Sequence, residues 1–384
     1  MSDRRIVVRP REQRVEDGWR TVGVTIDARG RPPRQLWYRV LLPEGWRLTE
    51  SLDPFVPVPL FETMRSRLPL HVEGDVSPSL LANLEEFQRF WARWYPERFV
   101  AVDVTAEREH EQPAGEPGAV MAFSAGLDSC FTAYRHAMGE AGRQGQTLRA
   151  GVMAHGFDIP IEEDGYGAAA DAAEAMLASV GVPLVRVATN VRHVEHAWDD
   201  AVGAAVASVL HLLQPNAQVG LVPGSMPPDL QVLWGSNPIS DPLLSSAPFR
   251  IVEDGPSITR PEKVKAIAEW PAAMEGLRVC WASPHRDRNC GRCGKCVRTI
   301  MCFRAVGVPI PSSFEREPTD AEIRRQPPLD RLSQPFHRMP LDAATQAGID
   351  DGWVRAARKV WRRTKRHELL NAARAHFRRL APTR

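Results

Sequence analysis

Residues 118 to 309 alternate between short apolar segments and longer helix-forming segments. Four segments have the length and β-branched content of buried strands: AVMAFS, LRAGVMAH, PLVRVATN and AQVGLVPG. Helical segments lie between them, and this alternation predicts βαβ units and a parallel sheet. Because ligands of such sheets bind at the carboxyl ends of the strands, we expect the functional loops to follow Phe123, His155, Asn190 and Gly224.

The flanking regions follow other patterns. Residues 1–115 combine strand-like segments with one amphipathic helix, SPSLLANLEEFQRFWARWYP, and end near the Pro- and Gly-rich stretch REHEQPAGEPG, which predicts an α+β N-terminal domain and a linker. Residues 310–345 are rich in proline and polar groups and predict an extended wrap or linker, whereas residues 350–380 predict a basic helix. The predicted parts are therefore 1–115, 116–309 and 310–384.

The charge is distributed unevenly along the chain. The net charge is +2, but the segment from Trp353 to Arg384 holds eleven Lys/Arg and one acid, so it carries +10 and the other 352 residues sum to −8. Such a tail could bind RNA, DNA or an acidic protein. The alternative is a solvated helix that is docked by its aromatic side chains.

We expect a cytoplasmic protein with no membrane partner. Met1–Pro10 is charged from its start and lacks the apolar core of a secretory signal. The longest apolar run, Ala201–Leu213, is too short to span a bilayer and contains His211. Four of the six cysteines fall within 17 residues, which indicates metal binding rather than disulfides.

The stretch MAFSAGLDSC places a polar loop between an apolar strand and a helix. The small residues Ser124, Ala125 and Gly126 let backbone N–H groups approach a phosphate, Ser129 can add a hydroxyl, and the helix that follows directs its positive end to the same place. No Lys-Ser/Thr follows the glycine, so this is not the P-loop of kinases and GTPases. The alternative is an ordinary strand-to-helix turn.

The cysteines Cys280, Cys290, Cys293 and Cys296 have the pattern C-x9-C-x2-C-x2-C. Four thiolates with no open position predict a structural zinc site. An iron–sulfur cluster and free thiols are the alternatives. Cys130 and Cys302 are expected to be small apolar side chains of helix interiors, with a sulfur-carrying role for Cys130 as the alternative.

The loop resembles the Ser-Gly-Gly-x-Asp-Ser loop of the PP-loop ATP-pyrophosphatase superfamily. The resemblance implies a Rossmann-like sheet of the adenine nucleotide alpha hydrolase type, with ATP bound by residues 123–129 and Mg²⁺ near Asp128. The implied ATP-binding residues are Phe123, Ser124, Ala125, Gly126, Leu127, Asp128, Ser129, His155 and Gly156, of which Ser124, Asp128 and Ser129 are the catalytic candidates. Ala125 replaces the first glycine of the motif, and its methyl group should narrow the approach to phosphate.

The loop and the cysteines together resemble the 7-cyano-7-deazaguanine synthases, over roughly residues 118–303. The stretch SITRPEKVKAI, with Thr259, Arg260 and Glu262, is similar to the Thr-Lys-x-Glu helix start of that family. The resemblance implies a zinc clip and ATP-dependent adenylation of a carboxylate such as 7-carboxy-7-deazaguanine, followed by attack of ammonia to give an amide or nitrile. Proteins similar to these synthases also occur in bacterial anti-phage systems.

The acid substrate is expected to bind the long loop after the fourth strand of the alternating region. The candidates in this loop are Trp234 for stacking and Ser236, Asn237 and Asp241 for reading a nucleobase edge. Arg260, further along the chain, is an additional substrate candidate. The alternative is that the loop is an ordinary surface loop. A homodimer is a further expectation. Two other functions stay open: a tRNA-modifying PP-loop enzyme of the thiolation type, and a non-catalytic nucleotide-binding protein.

Overall fold

The computed structural model describes residues 5–28, 30–280, 282–283 and 286–380. Its strands are β1 (Ile6–Pro10), β2 (Arg14–Glu16), β3 (Trp19–Ala28), β4 (Arg34–Leu41), β5 (Leu70–Val76), β6 (Val104–Glu109), β7 (Ala119–Ala122), β8 (Leu148–His155), β9 (Leu184–Thr189), β10 (Val219–Pro223) and β11 (Arg250–Asp254). Its helices are α1 (Pro57–Ser66), α2 (Pro78–Trp94), α3 (Leu127–Ala137), α4 (Tyr166–Ala178), α5 (Val191–Val194), α6 (Trp198–His211), α7 (Arg260–Ile267), α8 (Pro271–Gly276), α9 (Gly294–Val306), α10 (Asp320–Arg325), α11 (Ser333–Gln346) and α12 (Gly352–Leu380). No helix within the described ranges combines the length and the apolar character that crossing a membrane requires.

The strands of the described residues join in one sheet, in the order β11-β10-β7-β8-β9-β4-β3-β1-β5-β6, with β2 paired to β3. The five strands from β11 to β9 are parallel. Numbered along the chain, they follow the order 5-4-1-2-3, which is that of a doubly wound sheet. The prediction of an α/β fold with a mostly parallel central sheet is therefore confirmed.

The N-terminal strands extend this sheet rather than forming one of their own. β4 pairs antiparallel with β9, with Tyr38 opposite Thr189 and Leu41 opposite Arg186. The side chain of Asn190 continues the pairing beyond the strand end, since its Oδ1 accepts the N–H of Trp37 at 3.0 Å. The expectation of a separate α+β domain at residues 1–115 stays a prediction, and the sheet that these residues form continues into the next region.

An aromatic cluster fixes the N-terminal helices. Phe61 of α1 makes edge-to-face contacts with Phe87 and Trp91 of α2 and with Phe99, at ring-centroid distances of 5.0 to 5.8 Å. The periodic apolar positions of α2 thus form its buried face, as its sequence predicts. Each such ring pair contributes about 1 kcal/mol beyond its area burial.

The chain forms two compact units, one of residues up to 225 plus 233–256, and one of residues 226–232 plus 257 onward. This division differs from the three predicted parts because the cysteine region shares the second unit with the C-terminal helices. Within that unit α9 packs on α7 and α11, and α12 packs on α10 and α11. The buried side chains of this second core are Val297, Met301, Ala305, Ile323, Leu341, Ala344, Trp353, Val354, Ala356 and Ala357.

The prediction of an extended wrap at residues 310–345 is wrong for much of that range, because α10 and α11 lie there. Pro335 occupies the first turn of α11, where the backbone N–H of a helix has no intrahelical partner in any case. Pro340 lies inside the helix, and it is buried between Met339 and Leu341. Burial of these side chains offsets the hydrogen bond that Pro340 removes.

Candidate functional site

The strand order puts the topological switch point of the sheet between β7 and β10. The chain moves outward in opposite directions from these two neighbouring strands, and doubly wound sheets bind ligands at this reversal, beyond the carboxyl ends of the strands. The segments that leave these ends are residues 123–126 after β7 and Gly224 with Ser225 after β10. The predicted phosphate loop therefore lies at the topologically favoured position.

The loop after β7 is braced by its own hydroxyl groups. Ser129 is buried, its Oγ donates to the carbonyl of Gly126 at 3.0 Å, and it accepts the N–H of Ser124 at 3.3 Å. The N–H of Gly126 in turn donates to Ser124 Oγ at 3.3 Å. Ser124 is exposed and Asp128 is half-buried in the first turn of α3. Ser129 is thus placed to hold the loop, and ligand contacts of Ser124 and Asp128 stay a prediction.

Ala125 has a left-handed backbone, with φ of +57°. A residue with a Cβ pays about 1 kcal/mol for this conformation, whereas glycine adopts it freely. The residue is only 2% exposed, so its methyl group does not stand on the open side of the loop. The expected narrowing of the phosphate approach is therefore not seen, and the replacement of glycine strains the backbone instead.

We predict that Ala125→Gly raises the free energy of unfolding by about 0.5 kcal/mol. Relief of the left-handed strain contributes about 1 kcal/mol, and the greater freedom of glycine in the unfolded chain offsets roughly half of it. Urea denaturation measures the change. The matched control is Ala133→Gly in the interior of α3, which should lower stability by about 1 kcal/mol or more. Equal losses in both variants would contradict the assignment of strain to Ala125.

A buried polar cluster anchors α3 to the end of β11. Asp254 accepts hydrogen bonds from Thr132 Oγ1 at 2.8 Å and from His136 Nε2 at 3.1 Å, and the guanidinium of Arg135 lies 3.6 Å away. His136 Nδ1 accepts the N–H of Gln146, so Nε2 carries the proton that it donates. The helix that presents the loop is thus fixed at the carboxyl edge of the sheet. Sequence reasoning missed this cluster.

The cluster makes stability depend on pH. Burial alone would raise the pKa of Asp254, but the hydrogen bond from His136 and the charge of Arg135 outweigh it, and the pKa lies below its ordinary value. A folded pKa below the unfolded one gives stability that is present above about pH 4 and lost as the pH falls through the folded pKa. The contribution is therefore complete at neutral pH.

We predict that Asp254→Asn lowers the free energy of unfolding at pH 7 by about 3 kcal/mol, because Arg135 loses its buried counter-charge. The deficit relative to the unmodified protein should shrink as the pH falls toward about 3. Urea denaturation at several pH values tests this, with the exposed Asp164→Asn as control. A deficit that is the same at every pH would contradict the electrostatic role.

His155 and Gly156, the predicted adenine contacts, shape the loop after β8. His155 Nε2 lies 2.8 Å from the carbonyl of Pro160 and 3.0 Å from that of Glu163, and the ring stacks on Tyr166 at 4.6 Å. Gly156 has φ of +99°, and a Cβ there would lie 1.9 Å from the carbonyl oxygen of Thr189, so only glycine fits. One face of the His155 ring is covered by Tyr166, and a role toward adenine stays a prediction.

The predicted substrate residues in the loop after β10 bond to one another. Asn237 donates to Ser240 Oγ and to the carbonyl of Trp234, and Asp241 accepts from Ser236 Oγ at 2.7 Å and from the N–H of Asn237 at 3.1 Å. Asn237 and Asp241 are fully buried, and burial raises the pKa of Asp241 to about 7, against the hydrogen bonds from Ser236 and Asn237. To read a base edge, these groups would have to exchange their present partners.

Trp234 and Arg260 have different surroundings. The indole Nε1 of Trp234 is buried without a hydrogen-bond partner among the described residues, so a ligand acceptor there would satisfy it. Arg260 opens α7 behind the N-cap Thr259, which forms a capping box with Glu262, and its guanidinium lies 4.1 Å from the ring centre of Phe336. The predicted helix start is confirmed, and substrate contacts of both residues stay predictions.

The four cysteines come together in the second unit. The Sγ–Sγ distances are 3.5 Å from Cys280 to Cys290, 3.7 Å from Cys280 to Cys293 and 3.9 Å from Cys290 to Cys296, and all four sulfurs lie within 4.8 Å of one another. Four thiolates at the usual zinc–sulfur distance of about 2.3 Å would stand about 3.8 Å apart. The cluster therefore fits a tetrahedral zinc ion.

Backbone features support this cluster. The N–H groups of Cys293 and Cys296 point to the sulfurs of Cys290 and Cys293 at 3.4 and 3.5 Å. Hydrogen bonding from Cys296 lowers the pKa of Cys293 to about 5 despite its partial burial. Gly291 has φ of +66°, and a Cβ there would lie 1.9 Å from the carbonyl oxygen of Arg316. The turn between Cys290 and Cys293 therefore requires glycine.

Asn289 joins the segment of Cys280 to the C-x2-C turns. Its buried side chain accepts the N–H groups of Val279 and Cys280 and donates to the carbonyl of Leu277 and to Ser313 Oγ. All four bonding positions of the amide are used. Sequence reasoning missed this residue, although its place directly before Cys290 was a signal for an orienting role.

The two remaining cysteines are buried, as predicted. Cys130 lies inside α3 with its Sγ 3.6 Å from the sulfur of Met176, and burial raises its pKa well above the ordinary range. Cys302 is buried in α9, outside the four-cysteine cluster. A buried thiol with a raised pKa disfavours the sulfur-carrying role, because the thiolate is the form that reacts.

These features define an α/β protein with a Ser/Gly loop at the switch point of a parallel sheet and a four-cysteine cluster suited to metal. The chain is 25% identical over 173 residues to the 7-cyano-7-deazaguanine synthases of Brucella ovis, Brucella suis and Brucella abortus, which is 44% of this chain and 66% of each relative. The chain thus spans slightly less than two thirds of the length of the curated relatives it matches. No family model and no solved structure matches it. The similarity supports a distant relationship to these synthases.

Proposed function

We propose that the protein uses ATP to activate a carboxylate and then transfers the acyl group to ammonia. The observation that carries the proposal is the braced Ser124–Ser129 loop beyond the carboxyl end of β7, at the switch point of the sheet. The distant similarity to synthases supports it. The substrate class is an acid of the 7-carboxy-7-deazaguanine type.

The proposed reaction balances as follows. A carboxylate oxygen attacks the α-phosphorus of ATP, pyrophosphate leaves, and an acyl adenylate forms. Ammonia then attacks the acyl carbon, the C–O bond to AMP breaks, and an amide and a proton are released. To give a nitrile, the amide oxygen attacks the α-phosphorus of a second ATP and pyrophosphate leaves. The C–O bond then breaks, the oxygen departs as part of AMP, and the nitrogen loses its two protons.

The residues of the loop have distinct proposed roles. Exposed Ser124 and the N-terminus of α3 contact the phosphates, and buried Ser129 holds the loop in shape. The carboxylate of Asp128 is the oxygen donor that Mg²⁺ prefers, and bound Mg²⁺ would offset phosphate charge. The cysteine cluster would hold zinc with no open coordination position, so its role is structural.

The test is pyrophosphate release by the purified full chain with ATP, Mg²⁺, ammonia and 7-carboxy-7-deazaguanine. Release that depends on the acid supports the proposal, and mass spectrometry of the product separates amide from nitrile. Tight ATP binding with no pyrophosphate from any acid in a panel of carboxylates would favour a non-catalytic nucleotide-binding protein instead. The thiolation alternative loses support because Cys130 is buried and its burial raises the pKa of the thiol. The anti-phage setting, the cytoplasmic location and the homodimer stay predictions.

A further inference from the structure

The C-terminal helix α12 has one docked face. Its buried side chains recur on one face of the helix and pack within the second unit: Trp353, Val354, Ala356, Ala357, Val360 and Thr364. Beyond Thr364 every described side chain from Lys365 to Ala373 is exposed. The first half of the helix is therefore held by its apolar face. This agrees with the prediction that the helix is docked by its aromatic side chains.

The opposite face of α12 carries a line of cations, which we call the basic stripe: Arg355, Lys359, Arg362 and Arg366. Their spacing of four, three and four residues places them within about 60° around the helix, directly opposite the buried side chains. All four are exposed. At about 1.5 Å rise per residue the stripe is roughly 16 Å long.

Few acids neutralise the basic stripe. Asp350 pairs with Arg355 and Arg358, and Glu368 pairs with Lys365 at 2.9 Å. In the part of the chain that the structure describes, Lys359, Arg362 and Arg366 have no carboxylate partner. The positive electrostatic potential of these three side chains is therefore not cancelled by a neighbouring carboxylate, and it can attract an anionic ligand from solution.

The last turn of α10 widens the positive surface. Arg363 donates hydrogen bonds to the backbone carbonyls of Arg324 and Gln326, which places the exposed side chains of Arg324 and Arg325 beside α12. The sequence adds three further arginines later in α12, at positions 374, 378 and 379. The rest of the chain is acidic, so the positive surface is concentrated here.

We propose that the basic stripe binds the phosphate backbone of a nucleic acid. The cations are mostly arginines, whose planar guanidinium groups match phosphate oxygens in pairs. They lie on one line at intervals of about 4.5 to 6 Å, which suits the regular array of charges along a nucleic-acid strand. Contacts from these cations to phosphate carry no sequence information, so binding should depend on charge rather than on sequence.

The test measures polarisation of a fluorescein-labelled RNA duplex of about 20 base pairs, and its DNA counterpart, with the full-length protein at several salt concentrations. The variant Lys359→Gln/Arg362→Gln/Arg366→Gln should bind at least about tenfold more weakly at 0.1 M salt. Its slope of log affinity against log salt should be shallower by about 3, one for each lost phosphate contact. ATP and acid substrate are left out, so the result is independent of the proposed enzymatic function.

The matched control removes three exposed cations from the other unit, as Arg14→Gln/Arg93→Gln/Arg143→Gln. This control should bind the duplex with an affinity within about twofold of that of the unmodified protein. Its slope of log affinity against log salt should differ from that of the unmodified protein by no more than about 0.5. Circular dichroism verifies that α12 is retained in the stripe variant. The proposal is overturned by equal losses in both triple variants, by the absence of binding at low salt, or by poly-glutamate displacing the duplex at lower concentration than unlabelled duplex does.

Discussion

Replacing Cys290 by serine is expected to abolish zinc binding and to lower the free energy of unfolding of the second unit by on the order of 5 kcal/mol or more. The purified, unmodified protein should contain one zinc ion per chain. Cys290 Sγ lies 3.5 Å from that of Cys280 and 3.9 Å from that of Cys296, so its loss opens one corner of the tetrahedron. Metal analysis by mass spectrometry and urea denaturation measure the two effects.

We expect a large effect because a zinc ion bound to the four sulfurs would hold the segment of Cys280 and the C-x2-C turns together. Three of the four thiols are buried, and repulsion between thiolates without an ion would push the C-x2-C turns apart. Hydrogen exchange should therefore rise over α9 and around Asn289 in the variant. Exchange over the sheet of the first unit should change little if the effect is local.

The control is Cys302→Ala, since Cys302 is a buried cysteine of the same helix outside the cluster. It should keep its zinc and lose only about 1 to 2 kcal/mol, because a small buried side chain is shortened. Zinc retained in full by Cys290→Ser would disprove the four-cysteine site. Visible absorbance and iron in place of zinc would establish the iron–sulfur alternative.

The central sheet could be predicted because its signal is local. β7 to β10 are short runs of buried apolar residues separated by helix-length segments, and such a pattern has few other solutions. The sequence contains no comparable local signal for the pairing of β4 with β9. It joins Leu41 to Arg186 across more than a hundred residues, and neither strand carries a pattern that specifies its neighbour.

The candidate site also has a part that the sequence predicts and a part that it does not. The positions of Ser124 to Ser129 and of the cysteines follow from spacing within a few residues. The partners that hold them do not, because Asp254 meets Thr132 and His136 only after the sheet has formed, and Asn289 bonds across two chain segments. The sequence also cannot show which polar groups bond to each other. It predicts that Asn237 and Asp241 contact a ligand, but in the structure they bond within their own loop.

Asp128→Asn is expected to reduce acid-dependent pyrophosphate release by about 100-fold and to leave the fold intact. Asp128 lies half-buried in the first turn of α3, beside the loop, and asparagine keeps its size and most of its hydrogen-bonding capacity. The substitution removes the anionic oxygen that we propose as a ligand of Mg²⁺, and the stabilisation of transferring phosphoryl groups by such an ion amounts to several kcal/mol. Single-turnover assays at saturating ATP measure the rate, and thermal denaturation measures the fold.

Two comparisons make this result specific to the loop. Asp171→Asn on α4 removes an exposed carboxylate paired with Arg186, and it should leave the rate within about twofold. Raising the Mg²⁺ concentration should restore part of the activity of Asp128→Asn, since a weakened metal site is refilled by mass action, whereas a damaged loop is not. An unchanged rate in Asp128→Asn would remove the loop from the proposed chemistry, even if the protein still bound ATP.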